Sequence, residues 1–249
     1  MTKANVLIVK TGSSNPAVRV ALGDYDRWFV NALGRERLSY DCLPAHEGAS
    51  PPVDPRQWAG MIVTGSPRSV TERTDWMLRW GEWLVNAAEK RVPVLAVCFG
   101  HQLVGQTLGG TVRKNPKGRE IGTVRCTLTE EGMKDPLFEG ISQRFEVNAT
   151  HEDYVESVPS VVQPLAGNEN TALQAFSSGR YLRGVQFHPE IESDVMRAMV
   201  GARREGLMRE AEERGLDPER RIAELEAGIR STPAGKRILE NFVRNFVNG

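Results

Sequence analysis

Three short apolar runs punctuate the first part of the chain: NVLIV at Asn5–Val9, MIVT at Met61–Thr64 and VPVLAV at Val92–Val97. A fourth, weaker run lies at Leu38–Leu43. None has the in–out alternation of a strand with one wet face, so each reads as a strand covered on both sides. Between them the spacing turns helical. Ala17–Leu33 carries Leu22, Trp28, Phe29 and Leu33, and Asp75–Arg91 puts Trp76, Trp80, Trp83 and Leu84 on one stripe. A further helix is expected over Gly100–Leu108. Buried strands alternating with amphipathic helices point to an α/β fold, an open, mostly parallel sheet flanked by helices on both faces.

Beyond Thr111 the texture changes. Strands and turns are expected at Ile121–Leu128, Arg144–Asn148, Val161–Leu165, Ala172–Phe176 and Leu182–Phe187. After Glu190 the sequence is helical and highly charged, and the charge runs across Arg203–Glu226 read most simply as a solvated helical face. Ser231-Thr232-Pro233 then supplies a capping residue and a proline at the first helical position. Ile238, Phe242 and Phe246 follow at four-residue steps.

The 249 residues include 32 Lys plus Arg and 32 Asp plus Glu, a formal net charge of zero. That balance argues against a chain built to coat nucleic acid or an anionic membrane. No apolar run approaches the roughly 20 residues that span a bilayer. MTKANVLIVKTGSS reads as a first strand rather than a secretion signal. Cys42, Cys98 and Cys126 are odd in number and lack metal-site spacing, which fits a reducing cytoplasm and calls for no metal or cofactor.

The stretch VLAVCFGHQLVGQTLGG, Val94–Gly110, places Cys98 where a buried strand turns at once into a helix. Such a turn exposes its residue and aims the helix's unsatisfied N–H groups at it. A helix N-terminus lowers a thiol's pKa, and thiolate is the nucleophile. This is nucleophile-elbow logic, here written Ala96-Val97-Cys98-Phe99-Gly100 with alanine in place of the first glycine. A cysteine nucleophile needs a base and a group that orients it. His151-Glu152-Asp153 and His188-Pro189-Glu190 each offer a carboxylate two residues after a histidine, on one face of an extended chain. Spacing alone does not choose between them. His188 follows the buried-type run GVQF and should end the sheet near Cys98, whereas His151 follows the half-exposed pattern EVNAT, so His188 is favoured. His101 is expected to pack in the first helical turn, and His46 to lie in a surface loop.

VCFGHQ together with GVQFHPE resembles the class I glutamine amidotransferase family, the triad type with a Cys-His-Glu site. The resemblance runs from the first strand to the last helix. It implies a flavodoxin-like amidotransferase architecture with Cys98 as nucleophile, His188 as base and Glu190 as orienting carboxylate. IVTGSPRSV resembles the family's SGGP loop, which nominates the backbone N–H of Ser66 or Gly65, with that of Phe99, as the oxyanion hole. Gln102 matches a glutamine that contacts substrate. NATHEDYV resembles the S-H-x-D segment beside the active site, which makes His151 a structural or substrate-side residue. Within the family the chain is similar to the amidotransferase domain of GMP synthase. Against that pattern, residues 1–249 read as one domain with a charged helical insertion at about 191–230. The insertion is either a solvent-facing hairpin or a lid or docking surface beside His188 and Glu190.

Residues 1–249 contain no SGG-x-DS phosphate loop, so they are not expected to make GMP alone. The favoured reading is hydrolysis of glutamine to glutamate and ammonia, the ammonia passing to a separate acceptor or synthetase partner. A γ-glutamyl peptidase acting on glutathione or its conjugates is the alternative, favoured by a pocket that opens near the insertion. An inactive protein with a regulatory or binding role is a third reading, and the intact Cys98, His188 and Glu190 count against it.

Overall fold

The computed structural model describes residues 3–248. In chain order the elements are β1 (Ala4–Lys10), α1 (Pro16–Leu22), α2 (Tyr25–Leu33), β2 (Leu38–Pro44), β3 (Gly60–Val63), α3 (Asp75–Glu89), β4 (Val94–Val97) and α4 (Phe99–Thr107). Then come β5 (Thr111–Lys114), β6 (Glu120–Leu128), α5 (Glu130–Lys134), β7 (Arg144–His151), β8 (Asp153–Ser157), β9 (Val162–Gly167), β10 (Ala175–Ser178) and β11 (Leu182–Val185). The chain ends in α6 (Ser193–Ala202), α7 (Arg204–Glu213), α8 (Pro218–Gly228) and α9 (Pro233–Phe242), the last running into a π-turn.

The main sheet has nine strands in the order β2-β1-β3-β4-β11-β10-β9-β6-β7. From β2 to β11 neighbours pair in parallel, as the buried runs require. From β10 outward every pairing is antiparallel. β5 and β8 form a separate antiparallel pair. The central strands serve two cores at once: Val6 and Ile8 of β1 join the layer beneath α2 and α9, whereas Leu7 and Val9 join the layer beneath α3 and α4. That double duty explains why NVLIV shows no alternation.

Two expectations change. Ala17–Leu33 is two helices, because Gly23 turns at φ 84° and Asp24 caps the next start, accepting from the Tyr25 N–H at 2.9 Å. The break puts Tyr25 at the head of α2. The strand expected at Ala172–Phe176 sits at Ala175–Ser178.

The charged stretch after Glu190 is not only a solvated face. Val195, Met196, Met199, Val200, Leu207, Ile222 and Leu225 form a third core with Val18, Trp28 and Ile121. α6–α8 are therefore packed onto the body through α1 and β6, with most of their charged residues on the open face. Among the described residues no helix is long and apolar enough to cross a membrane.

Candidate active site

β3, β4 and β11 all end at the same edge of the sheet, and a cleft of about 500 Å³ opens there. Cys98 lies at its floor. The thiol sits on the single residue between β4 and α4, with φ 52° and ψ −101°. A side chain in that region costs about 1–3 kcal/mol, so the turn stands only because its surroundings fix it. The Cys98 N–H continues the sheet ladder to the Val185 carbonyl at 2.8 Å, and the Cys98 carbonyl accepts the Gln102 N–H at 3.0 Å to start the helix. Gly100 lets that helix begin against β3: a Cβ there would lie 2.9 Å from the Val63 Cβ. The Cys98 Sγ faces the Thr150 carbonyl at 3.8 Å.

His188 and Glu190 follow β11 into the same site. The ladder ends at Val185, and His188 is held instead by its N–H, which donates to the Asn148 carbonyl at 2.8 Å. His188 Nδ1 meets Glu190 Oε1 at 2.7 Å, with both side chains essentially inaccessible to water. An ionised carboxylate only accepts, so Nδ1 carries a proton; Cys98 borders the same cleft as the ring. Burial opposes charge on the ring, but Glu190 and the Cys98 sulfur outweigh it and push the imidazole up to about 10. The ring lies flat against Tyr25, centroids 6.2 Å apart.

The Gly65–Ser66 loop closes the other side. Thr11 Oγ1 donates toward the Thr64 carbonyl at 2.9 Å and the Gly65 carbonyl at 3.0 Å. In a trans peptide the N–H points opposite its carbonyl, so the Gly65 and Ser66 N–H groups both turn away from Thr11. Space is tight here. A Cβ on Gly65 would come within 2.7 Å of the His188 Cε1, and one on Gly12 within 2.5 Å of the Ser66 Oγ. Phe99 opens α4, so its N–H has no acceptor within the helix; its ring stacks on Trp76 at 5.9 Å.

Gln102 and His151 also border the cleft, with most of their polar atoms already engaged. The Gln102 amide nitrogen donates to the Asp153 carbonyl at 2.8 Å and to Gln186 Oε1 at 3.2 Å. His151 is held at both ends, Nδ1 against the Asp153 carbonyl and Nε2 against Glu120 Oε2, each at 2.9 Å. Neither nitrogen remains to exchange a proton with Cys98. His101 is fully buried at 4.5 Å from the Phe176 ring, and burial holds it down to about 3. His46 is not simply a surface group, since its Nδ1 lies 3.0 Å from the Lys10 carbonyl.

Sequence reasoning missed Thr11, Tyr25, Glu120 and Arg203. The first three are brought to the site by long-range packing. Arg203 comes from the helical segment after Glu190 and lines the cleft with Cys98 and His188.

Residues 22–202 match the sequence profile of the glutamine amidotransferase class-I family, and the chain belongs to that family. It is 32% identical to one component of the glutamine-hydrolyzing GMP synthase of Saccharolobus solfataricus, over 68% of this chain and 86% of that one. It is 26% identical to gamma-glutamyl peptidase 3 of Arabidopsis thaliana, over 74% of this chain and 75% of that one. A glutamine amidotransferase crystal structure from Thermotoga maritima superposes with a TM-score of 0.74 over the whole of both chains at 19% identity, a likeness of fold.

Proposed function

We propose that the protein is a cysteine hydrolase that cleaves the γ-glutamyl amide of glutamine to glutamate and ammonia. The observation that carries this reading is the hydrogen bond of 2.7 Å between His188 and Glu190, in one cleft with Cys98 at its strained turn. His188 takes the thiol proton and rests as an imidazolium held by Glu190. The thiolate attacks the amide carbonyl carbon, forming a C–S bond, and the oxyanion is received by the N–H groups of Phe99 and of Ser66 or Gly65. The tetrahedral carbon collapses and breaks its C–N bond. The His188 proton goes to the leaving nitrogen, which departs as ammonia. His188 then takes a proton from water as the water attacks the thioester, and glutamate leaves with Cys98 restored.

Residues 1–249 act as one amidotransferase domain in this reading. Likeness to a component of a GMP synthase supports a synthetase partner as the ammonia acceptor. A second reading, γ-glutamyl peptidase, is favoured by a specific observation: the cleft extends to Arg203 on the helical segment after Glu190.

The test is glutamate release by the purified chain from glutamine and from glutathione, side by side, with Cys98→Ala as control. Release from glutamine that the alanine variant abolishes is the expected result. Release mainly from glutathione selects the peptidase. Equal background from wild type and variant on both substrates rejects a self-sufficient hydrolase.

A further inference from the structure

One hydrogen bond does not fix a histidine ring. Glu190 holds Nδ1 of His188, and the opposite edge, Cε1–Nε2, is free to swing about that bond unless something lies along the face of the ring. Tyr25 lies there. The two rings are 15° from parallel with centroids 6.2 Å apart, an offset stack of the kind aromatic pairs favour, and both residues border the cleft. The Gly65 loop closes the edge. The place a Gly65 Cβ would take is 2.7 Å from His188 Cε1, 3.5 Å from His188 Nε2 and 3.5 Å from Tyr25 Cε1, so imidazole, phenol ring and loop meet at one point.

Tyr25 is itself held from several directions. Gly23 ends α1, and Asp24 Oδ1 accepts from the Tyr25 N–H at 2.9 Å and from the Ser14 N–H at 2.8 Å. The aspartates on either side of Tyr25 both pair with Lys10 at the end of β1, Asp24 at 2.9 Å and Asp26 at 3.0 Å. Trp28 packs edge-on against the phenol ring, centroids 5.2 Å apart at 76°, and its indole N–H donates to the Leu22 carbonyl at 2.9 Å. Tyr25 and Trp28 belong to the third core with Ile191, Val195 and Met196. The helix that follows Glu190 thus shares one apolar cluster with the ring that faces His188.

We propose that Tyr25 is a positioning residue for His188: its ring is a fixed wall that sets the direction of the imidazole's free edge, and the third core keeps that wall in place. The inference rests on the cysteine-hydrolase reading of Cys98 and His188 and adds a residue to it. A base that serves first a thiol and then a leaving nitrogen must hold one direction through both steps, and a misplacement of about 1 Å can cost on the order of 10²-fold in rate. The flat face of Tyr25 carries the role, and its hydroxyl does not.

The test measures kcat and KM for glutamine in wild type, Tyr25→Phe, Tyr25→Met and Tyr25→Leu, beside the rate at which iodoacetamide alkylates Cys98, read on the peptide that contains it. Tyr25→Phe keeps the flat face and should keep kcat. Tyr25→Met and Tyr25→Leu fill the core without a flat face, so kcat should fall roughly ten- to hundredfold with KM little changed. Alkylation of Cys98 should slow roughly tenfold in a single phase, because thiolate is the reacting species and every molecule has a misplaced base. Trp28→Leu, which takes away the brace and leaves Tyr25, should give the same pattern at smaller size, and it carries the test if neither of the other two folds. A Tyr25→Phe enzyme as slow as Tyr25→Met overturns the proposal, as do full activity in the folded non-aromatic variants and a rise in KM at unchanged kcat. Alkylation in two phases that track an unfolded fraction overturns it too, since that marks a ring that only fills space. If wild type releases no glutamate, alkylation still decides: slowing in Tyr25→Met but not in Tyr25→Phe rejects glutamine hydrolysis and keeps the positioning role, and equal rates in all three reject Tyr25.

Discussion

Two histidines in one cleft each meet a buried glutamate, and what their second ring nitrogens meet sets them apart. His188 and Glu190 are 2.7 Å apart, His151 and Glu120 2.9 Å, and both imidazoles are almost wholly buried. The difference is at the second nitrogen. Among the described residues His188 Nε2 has no carboxylate or carbonyl on it and the ring lines the cleft with Cys98, while His151 spends its second nitrogen on the Asp153 carbonyl. The glutamates differ too. Glu120 also accepts from Asn168 and Gln174, each at 2.6 Å, which makes that pair the hub of a polar network joining β6, β7 and the loop before β10. Glu190 serves His188, and its Oε2 has no other partner. A histidine–carboxylate pair is thus a structural clasp when every polar atom is engaged, and a catalytic candidate when one is left facing a nucleophile.

The largest expected effect tests the nucleophile. Cys98→Ala should bring glutamate release down to background while the protein keeps its fold, since the small alanine side chain fits wherever the thiol did. Glu190→Gln comes next. Loss of the carboxylate charge should cost roughly 10²–10⁴ in kcat and shift the pH profile. His188 is raised, so the stability its charge contributes is complete below its ordinary value near 6.5 and is lost as pH rises through about 10. Removing the negative neighbour lowers that upper boundary. The rate of Cys98 alkylation followed against pH should show its alkaline change at lower pH in the variant; an unmoved profile would remove Glu190 from its role. Gly65→Ala should follow at about 10² or more in rate, because its Cβ would sit 2.7 Å from the His188 ring and must displace either the ring or the loop. A crystal structure of that variant with His188 undisturbed and full activity would show that the loop has room to give.

Much of this site could be read in the sequence because its parts are local. Cys98 announces itself through an apolar run, a cysteine and a glycine in succession, and His188-Pro189-Glu190 keeps base and carboxylate within three residues. The choice of His188 over His151 also followed from what precedes each. The rest was hidden by distance along the chain. Glu120 reaches His151 only through the β6–β7 register, which sets those two residues opposite each other. Thr11 meets the Gly65 loop only because β1 and β3 are neighbours. Arg203 sits inside a charge run, and nothing local separates it from arginines that face water. The single helix expected at 17–33 failed at Gly23-Asp24, where the helical apolar spacing continued through a break that glycine and a capping aspartate impose.

His151→Leu sharpens the same comparison from the structural side. It leaves Glu120 buried with one partner fewer, a change that should cost about 3 kcal/mol and lower Tm by roughly 6–12 °C. The acid limb should move as well. Burial alone would raise Glu120, but the hydrogen bond from His151 and the amide donors overcome it and hold the carboxyl below its ordinary value. Its contribution to stability is therefore present above that ordinary value and is lost as pH falls through the lowered one. Without His151 the loss should begin at higher pH, measurable as a raised acid-unfolding midpoint. His188→Leu should abolish glutamate release and also destabilise the fold, because it leaves the fully buried Glu190 with no hydrogen-bond partner, whereas Glu120 keeps two amide donors.

The smallest effect concerns how the two sides are tied together. Arg119 spans from Glu152, next to His151, to Glu210 on α7, the helix that Arg203 precedes. Glu210→Ala removes one carboxylate from Arg119 and leaves the other in place. With Arg119 and Glu210 side chains 20% and 37% exposed, the bond is a partly solvated one, and its loss should cost about 0.2–1 kcal/mol. The helical segment is fixed mainly by Val195, Met196, Met199 and Ile222 in the third core, so thermal denaturation should register a shift of a few degrees at most. A loss several times larger, shrinking as salt is added, would mean that the charged clasp rather than the apolar core holds α7 against β6.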